Sequence, residues 1–292
     1  MMSSPSAVFS LLCVAIFLVG QARSRRAASR PPAGLSKAVS PIKQHATFAA
    51  PWMVPLKKAL QTGGTKRVKR DRSEAKRKQV QLATVDPQTM RPTVRTVVFR
   101  GFAPLRMLLP NLETGPDVSP ESCCMMFITD DRAEKVRHLS SDVVPPFVEC
   151  CWWLDEGGVQ FRLSGQALLA TAECKDPILV AARRAIWERL QPSTRQQFIW
   201  PTPGAPMADS NTGSESLSDG DVDLADAHFA LLLVLPERVD ELRLGGNQKR
   251  NLYILEKSDA AGSQADDEGG NGVASVLSHW HASSWRQAAI NP

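Results

Sequence analysis

The sequence predicts a small, mainly β barrel with a few helices on its outside, an α+β architecture. Most apolar residues fall in short runs of strand length, and Gly, Pro and Asp residues between these runs predict turns. Only a few segments have the three-to-four-residue spacing of an amphipathic helix. Because 43% of the residues are hydrophobic, the chain can also fill the core of a barrel.

Eight segments are predicted to be strands. Asp86-Pro87 predicts a turn between the first two, so these should form a hairpin. Apolar and polar residues alternate in the fifth, which places Gln160 and Arg162 on a face that contacts water or a ligand. The predicted strands are Val80–Val85, Thr93–Arg100, Cys123–Thr129, Phe147–Leu154, Val159–Ser164, His228–Leu235, Leu252–Glu256 and Trp285–Ile290.

Three helices are predicted between the strands. Pro51–Leu60 has apolar residues at every fourth position. Asp130 and Asp131 can cap a helix that continues to Leu139. Asp176 can cap a third helix that begins at Pro177, with an apolar side made by Ile178, Ala181, Ala182, Ala185 and Ile186.

Positive charge is concentrated at the start of the chain. Residues 1–78 hold 16 Lys and Arg but only two acidic residues, whereas the remainder holds 19 basic and 28 acidic residues. The folded part is therefore acidic, which argues against a nucleic-acid partner. The basic run Lys66–Lys78 is interpreted as a solvated connector, since no aromatic residues are interleaved with its charges.

Residues 1–45 are predicted to be a targeting leader. Residues 7–22 resemble a secretory signal, with a 13-residue apolar run that is too short to span a bilayer, and residues 23–45 resemble a transit peptide. This order is typical of a bipartite plastid leader. A secretory or membrane-anchored protein and a mitochondrial protein are the alternatives, and no stable membrane span is expected in the mature chain.

The remaining chain divides into a helix with a basic connector at residues 46–78 and a folded domain at residues 79–292. Two Ser-, Asp- and Gly-rich insertions, residues 207–227 and 258–272, are predicted to be disordered. Each adjacent cysteine pair, Cys123–Cys124 and Cys150–Cys151, should place one thiol in the core. No metal site is predicted, because His279 and His281 have no further ligand nearby in the sequence.

Five blocks of sequence, in order, resemble the pyridoxamine 5′-phosphate oxidase-like FMN-binding proteins, and most closely a less-characterised branch of that family. The first block contains LATVDPQTMRPTVRTVVFRGF, and the resemblance extends from about Pro51 to the end of the chain apart from the two insertions. It implies an FMN-binding split β-barrel. The blocks are Leu82–Phe102, Phe127–Leu139, Cys151–Gly165, Trp187–Pro206 and Phe229–Lys257.

The resemblance also implies which residues bind FMN. Arg95 and Lys135 would hold the phosphate, Gln160 would bind the isoalloxazine ring, and a partner subunit in a homodimer would donate Gln191 and Ser193. No catalytic residue is singled out. The full set of implied cofactor contacts is Arg95, Thr96, Val97, Val98, Ile128, Thr129, Lys135, Gln160, Gln191, Ser193 and Arg250.

Two departures from the family pattern limit what the chain is expected to do. Glu134 stands where the family has a phosphate-binding arginine, so that contact is lost unless Arg132 replaces it. The family's substrate-phosphate positions fall near Leu179 and Ala182, whose apolar surface does not suit a phosphate. Arg100 and Arg162 are instead candidates for binding an anionic substrate.

The expected function is therefore an FMN-dependent oxidoreductase acting on an unidentified small substrate. Oxidation of pyridoxamine 5′-phosphate itself is one alternative. A non-catalytic FMN-binding or interaction protein is another, and a related split barrel that holds haem or another flavin-like cofactor is a third.

Overall fold

The sheet contains the predicted strands, most of them longer than the sequence patterns indicate. The structure is a computed structural model, and it describes residues 50–61, 74–112, 121–141, 146–206, 225–256 and 272–292. Within these ranges the strands are β1 (Gln79–Val85), β2 (Pro92–Pro104), β3 (Glu121–Asp130), β4 (Phe147–Leu154), β5 (Val159–Ala170), β6 (Phe229–Arg243), β7 (Lys249–Glu256) and β8 (Ser284–Ile290).

Six of the strands close into an antiparallel barrel. Their order is β3-β2-β1-β4-β5-β6, and β3 also pairs with β6, which completes the circle. β7 pairs with the second half of β6, and β8 pairs with β7, so these two strands extend the sheet beyond the barrel. The mainly β barrel predicted from the sequence is confirmed.

One helix precedes β1, and the others occupy connections between the strands. They are α1 (Met53–Gln61), α2 (Leu105–Leu108), α3 (Glu134–Leu139), α4 (Pro177–Trp187), α5 (Pro192–Arg195) and α6 (Val273–Ala282), with 3₁₀ turns at Asp155–Gly157 and Gln196–Ile199. Leu56 in α1 is fully buried and packs into the main core together with Trp52, which directly precedes the helix. The prediction of this helix is confirmed, with its first residue moved from Pro51 to Met53.

Two hydrophobic cores stabilise the fold. The first fills the barrel and includes Leu82, Phe127, Trp152 and Phe161. The second lies outside the barrel, where the other face of β3 and β6 packs against α4 and neighbouring segments. β3 is therefore buried on both faces.

The double burial of β3 corrects the prediction for its cysteines. Cys123 faces the barrel core and Cys124 faces the second core, so both thiols are buried rather than one. In β4, by contrast, Cys150 is buried and Cys151 is half-buried, as predicted. Among the described residues every cysteine is a free thiol.

The sequence predicts an N-terminal cap for two helices, and one of the two is confirmed. The prediction that Asp130 or Asp131 caps α3 is wrong, because Ala133 occupies the cap position and no side chain caps that helix. Asp130 instead accepts hydrogen bonds from the backbone and guanidinium of Arg132. The predicted cap of α4 is confirmed, since Asp176 accepts hydrogen bonds from the backbone amides of Ile178 and Leu179.

The buried side of α4 is rotated from the predicted one. Leu179, Ala182 and Arg183 are buried, whereas Ala181 is exposed. Ala181 lines an open groove between α4, α2 and α6, and Ile178 both borders this groove and packs against the second core. The spacing of apolar residues along a helix shows which side is apolar, but it does not show whether that side faces a groove or the core.

Three predictions fall wholly or partly outside the described residues. The leader lies within residues 1–49, most of the basic run lies within residues 62–73, and the two insertions lie almost entirely within residues 207–224 and 257–271. The end of the first insertion is described and corrects the prediction, because Ala225 is fully buried in the second core. Within the described parts of the chain, no helix has the length and apolar character needed to cross a bilayer.

Candidate functional site

Arg95 lies on the inner side of β2, and neighbouring strand residues fix the orientation of its guanidinium. Its Nη1 donates to Thr84 Oγ1 at 2.7 Å and to the carbonyl oxygen of Leu82 at 3.2 Å, and its Nη2 donates to Thr93 Oγ1 at 2.6 Å. Its Nε–H has no hydrogen-bond partner among the residues that the structure describes. The guanidinium is thus held in place by one edge and retains donors for a ligand.

Lys135 brings a second cation to this end of the barrel. It lies in α3, and its Nζ donates to Thr129 Oγ1 at 2.8 Å. Burial lowers the pKa of Lys135, and the positive charge of Arg95 lowers it further, while Asp130 partly opposes both. Neither Arg95 nor Lys135 forms a salt bridge with a carboxylate in the described ranges. An anion between these two cations would relieve their repulsion.

His138 lies behind Arg95 and completes the support of this cluster. Its side chain is fully buried, and its Nδ1 lies 2.9 Å from Thr84 Oγ1, the same hydroxyl that accepts from Arg95. Burial lowers the pKa of His138, so its imidazole is neutral near pH 7. We call Arg95, Lys135, Thr129, Thr84 and Thr93 the cation cluster.

Beside the cation cluster, neighbouring residues of β2 and β3 differ in whether their side chains face the inside or the outside of the barrel. Val97 points into the barrel and is buried, whereas Thr96 and Val98 point outwards and are exposed. Thr129 shares the inner face of β3 with Phe127, but the side chain of Ile128 packs against the second core. Only the backbone of Ile128 can therefore contribute to a wall on the inner side.

A second group of polar residues lies on the outer face of β5, β6 and β7. Arg162 Nη2 donates to Asp240 Oδ2 at 2.6 Å. Arg250 binds the same carboxylate through both its Nε, at 2.9 Å from Oδ1, and its Nη2, at 2.8 Å from Oδ2. Gln160 lies two residues from Arg162 on the same face, opposite Leu242, which in turn pairs with Arg250. The strand register thus brings Gln160, Arg162 and Arg250 together.

Asp240 is the buried centre of this group. Its side chain is only 1% exposed, whereas those of Arg162 and Arg250 are 36% and 27% exposed. Burial opposes ionisation of Asp240, but the hydrogen bonds and charges of Arg250 and Arg162 outweigh this effect and lower its pKa. The carboxylate is therefore ionised near pH 7, and the three side chains together carry one positive charge.

Comparison with known proteins shows to which family the chain belongs. The family described as "Pyridoxamine 5′-phosphate oxidase, FMN-binding domain" matches residues 49–171. Pyridoxine/pyridoxamine 5′-phosphate oxidase 2 of Arabidopsis thaliana is 32% identical over 174 residues, which cover 58% of this chain and 75% of the Arabidopsis protein. The chain belongs to the pyridoxamine 5′-phosphate oxidase FMN-binding family.

A solved structure in this family supports the same fold. It is a pyridoxamine 5′-phosphate oxidase-related FMN-binding protein from Nostoc punctiforme, with a TM-score of 0.56 and 29% identity. The similarity covers 84% of this chain and 98% of the Nostoc chain. The split barrel expected from the sequence is thereby confirmed.

FMN is the cofactor of this family domain, and the residues present suit it. Arg95 and Lys135 supply the positive charge and the hydrogen-bond donors that a phosphate requires. The hydroxyl of Thr129 accepts a hydrogen bond from the Lys135 ammonium group and so positions it. Gln160 offers an amide that makes no hydrogen bond to any described side chain, so it is available to the polar edge of a flavin ring.

The departure at Glu134 changes the electrostatics around Arg95. The Glu134 carboxylate is 63% exposed and lies 3.8 Å from Arg137 Nη2 and from His138 Nε2. Desolvation lowers the pKa of Arg95, and the negative charge of Glu134 partly opposes that shift. Glu134 therefore adds negative charge near the position of the phosphate.

Arg132 does not compensate for Glu134. Its guanidinium pairs with Asp130 at 2.7 Å and donates to the carbonyl oxygens of Phe198 and Trp200. These contacts attach the 198–200 segment to the end of β3. The guanidinium is therefore occupied in holding the fold.

Three further expected site residues belong neither to the cation cluster nor to the group around Asp240. Arg100 is exposed on the outer face of β2, and two strands, β1 and β4, separate it from Arg162 on β5. Arg100 and Arg162 therefore do not converge within one protomer. Gln191 and Ser193 are exposed at the start of α5, and no hydrogen bond among the described residues links them to the cation cluster.

The groove beside α4 differs from the phosphate sites of the barrel. It encloses about 1,200 Å³ and is lined largely by apolar side chains of α2, α4 and the residues after α2, with Arg106 and Arg189 among the lining residues. Leu179 and Ala182 are buried, as the sequence indicates. Neither offers a donor for a substrate phosphate.

Four residues of the site were missed in the sequence. Asp240 gives no signal, because its role depends on the register that places it opposite Arg162. Thr84, Thr93 and His138 were also missed, since each becomes relevant only when β1, β2 and α3 meet at Arg95. No group of three metal-ligating side chains occurs among the described residues.

Proposed function

We propose that the protein is a homodimeric, FMN-dependent oxidoreductase that acts on a small anionic substrate. The observation that carries this proposal is the pair of partly exposed guanidinium groups, Arg162 and Arg250, beside Gln160 on the outer face of β5–β7. Positive charge beside a flavin ring stabilises the negative charge of the reduced ring. A site that only stores FMN has no need of such charges.

The residues divide the work between the two ends of the cofactor. Arg95 and Lys135 bind the phosphate and anchor the cofactor. The amide of Gln160 binds the edge of the ring, and Arg250 and Arg162 supply the positive field. When bound, FMN supplies a hydride acceptor at N5 for the substrate.

Oxidation of pyridoxamine 5′-phosphate is the second candidate. The printed name of the Arabidopsis relative favours it. The buried apolar side chains of Leu179 and Ala182, where the family binds the substrate phosphate, argue against it. Formation of pyridoxal 5′-phosphate by the FMN-loaded protein, followed spectroscopically, would establish this activity.

The cofactor test uses the full-length protein and flavin fluorescence. Lys135→Gln removes a charged donor without disturbing the threonines that hold Arg95, so it is the cleaner variant. Loss of a hydrogen bond to a charged group costs about 1.5–3 kcal/mol, which corresponds to roughly 10- to 150-fold weaker FMN binding. We expect Arg95→Lys to weaken binding as well, since lysine lacks the planar fork.

Arg184→Gln is the matched control, because Arg184 is 80% exposed on α4 and pairs only with Glu188 among the described carboxylates. It should bind FMN as the wild type does. A wild-type protein that is colourless and rejects added FMN would exclude the proposed function. Equal affinities of Lys135→Gln and the wild type would exclude the assigned phosphate position.

The homodimer is supported by apolar side chains on the outer face of β1, β2 and β4. Val94, Val98, Phe147 and Trp153 are between 41% and 68% exposed there. The register aligns Val98 with Gln79 of β1, and Trp153 lies on the same face of β4 and pairs with Gln160. We call Val94, Val98, Phe147 and Trp153 the apolar face. Association of two copies would cover it and bring Gln191 and Ser193 towards the partner's cofactor.

We also propose that residues 1–45 direct the protein to a plastid, on the basis of their signal-like and transit-like composition. A fluorescent fusion of the full chain should accumulate in plastids. The same fusion without residues 1–45 should remain outside them. Accumulation in the secretory pathway or in mitochondria would select one of the alternatives.

A further inference from the structure

The network formed by Asp240, Arg162 and Arg250 carries an inference about the substrate. Asp240 lies on the outer face of β6, yet it is almost fully buried because the two arginine side chains cover it. The negative charge therefore lies beneath the two guanidinium groups, and these positive groups are the ones that reach solvent. Such a layered arrangement leaves a surface that attracts anions.

The hydrogen-bond geometry shows which donors remain for a ligand. Arg250 uses its Nε and one Nη2 hydrogen on Asp240, and Arg162 uses one Nη2 hydrogen. An arginine has five N–H donors, so both Nη1 groups and the Nε of Arg162 remain unused within the described residues. Because one carboxylate orients both guanidinium groups, these donors are fixed before a ligand arrives.

The net charge of the network suits a single negative charge. Two guanidinium groups and one carboxylate leave one positive charge, which one monoanionic group neutralises. On the neighbouring strand, the carboxylate of Glu149 accepts a hydrogen bond from Ser164 at 3.0 Å and lies on the other side of Arg162 from Gln160. Glu149 reduces the positive potential on its own side of Arg162, so a carboxylate ligand is expected to pair with the arginines on the side of Gln160.

We infer that Arg162 and Arg250, fixed by Asp240, bind the carboxylate of the substrate next to the flavin ring. The inference rests on the proposed function, because the position of the ring is taken from Gln160. It replaces the pair Arg100 and Arg162, which the barrel keeps two strands apart. Asp240 acts as a positioning residue, and the substrate class is a small carboxylic acid.

The test uses acetate as the probe on the FMN-loaded, full-length protein at constant ionic strength. Acetate should perturb the flavin absorption spectrum saturably, whereas acetamide, its uncharged analogue, should not. Arg162→Gln should weaken acetate binding at least tenfold and leave FMN affinity within about threefold of the wild type, since each charged hydrogen bond contributes about 1.5–3 kcal/mol. The variant should fold, because Arg250 still pairs with Asp240 through two hydrogen bonds.

The Asp240→Asn variant shows whether acetate binding depends on the orientation of the two guanidinium groups or only on the net charge of the network. It raises the net positive charge of the network, so a purely electrostatic site would bind acetate more tightly. We expect weaker binding, because an amide has one acceptor oxygen where the carboxylate has two, and it no longer orients both guanidinium groups. Tighter binding by Asp240→Asn would contradict the positioning role.

The outcomes distinguish this inference from the proposed function. Failure of the wild type to bind FMN would refute both. Normal FMN binding with no saturable effect of acetate, or with equal acetate affinity in Arg162→Gln, would refute the carboxylate site alone. Loss of FMN binding in Arg162→Gln would show that Arg162 serves the cofactor and would also refute it. Arg184→Gln should match the wild type in every measurement.

Discussion

At the level of single residues, the proposed phosphate site combines two oriented cations, Arg95 and Lys135, with the carboxylate of Glu134. We expect this carboxylate to oppose phosphate binding. Thr84 and Thr93 hold the guanidinium of Arg95, and Lys135 lies close enough for the two charges to repel. This repulsion is a cost in the free protein that a bound phosphate would remove. Glu134 reduces the same positive field from the first turn of α3. We therefore expect Glu134 to weaken FMN binding.

Glu134→Gln should strengthen FMN binding. The substitution removes a negative charge near Arg95 while keeping the size of the side chain. Exposed charge interactions contribute about 0.2–1 kcal/mol, so we expect roughly two- to fivefold tighter binding at low salt, with the gain decreasing as salt screens the charges. Fluorescence titration at two salt concentrations measures both effects.

Glu188→Gln is the control for Glu134→Gln, since Glu188 is a similarly exposed helical glutamate at the end of α4. It should leave FMN affinity unchanged. Weaker binding by Glu134→Gln would mean that Glu134 contacts the cofactor favourably, for example through a protonated or water-bridged carboxyl group. That result would require a different account of the phosphate site.

At the level of secondary structure elements, the sequence predicts the strands better than it predicts their partners. Alternation in Val159–Ser164 correctly separates the buried residues from the polar face that carries Gln160 and Arg162. It does not reveal that Asp240 stands opposite Arg162, because register is a property of two strands. For the same reason the resemblance identified Arg250 but not the carboxylate that holds it.

Gly165 lies where the register between β5 and β6 changes. A Cβ atom there would lie 2.0 Å from the carbonyl oxygen of Leu235, so no side chain fits without moving β6. The pairing of β5 with β6 also shifts between Ser164 and Gly165. On the other side of this irregularity the two strands pair with Arg162 opposite Asp240. The glycine is visible in the sequence, but its close approach to β6 is not.

Burial in this fold also depends on layers that a single strand cannot reveal. Only one thiol of the Cys123–Cys124 pair was expected in the core, and both are buried because α4 and its neighbours cover β3 from outside. Conversely, Trp153 belongs to an apolar run of the sequence and is 41% exposed on β4. Sequence periodicity gives the two faces of a strand, and only the tertiary arrangement shows what covers each face.

At the level of the whole molecule, the exposed apolar residues support the proposed homodimer. Trp153 lies next to Gln160 in the strand register, so the apolar face continues directly into the group that contains Arg162. A second copy on the apolar face would therefore also border the ring-binding residues. Stable interfaces bury about 1,200–2,000 Å² in total, and exposed aromatic and aliphatic residues are typical of their centres.

Val98→Glu should disrupt the homodimer. Val98 is 42% exposed on the apolar face, and a glutamate there would bury an unpaired charge in the interface, which costs several kcal/mol and should weaken dimerisation at least about 100-fold. Val180→Glu is the matched control, because Val180 is 43% exposed but lies on α4, away from this face. Sedimentation equilibrium of the full-length protein measures the dimer dissociation constant.

The same variants test whether the partner subunit completes the cofactor site. If Gln191 and Ser193 act across the interface, Val98→Glu should lose FMN affinity in parallel with dimerisation, and high protein concentration should restore both. Val180→Glu should remain a dimer with normal FMN affinity. A wild-type monomer that binds FMN tightly would contradict the dimer, and a monomeric Val98→Glu with unchanged affinity would limit the cofactor site to one subunit. Because Lys135 and Arg95 belong to the same protomer, the second result would leave the phosphate contacts intact and remove only the partner's contribution.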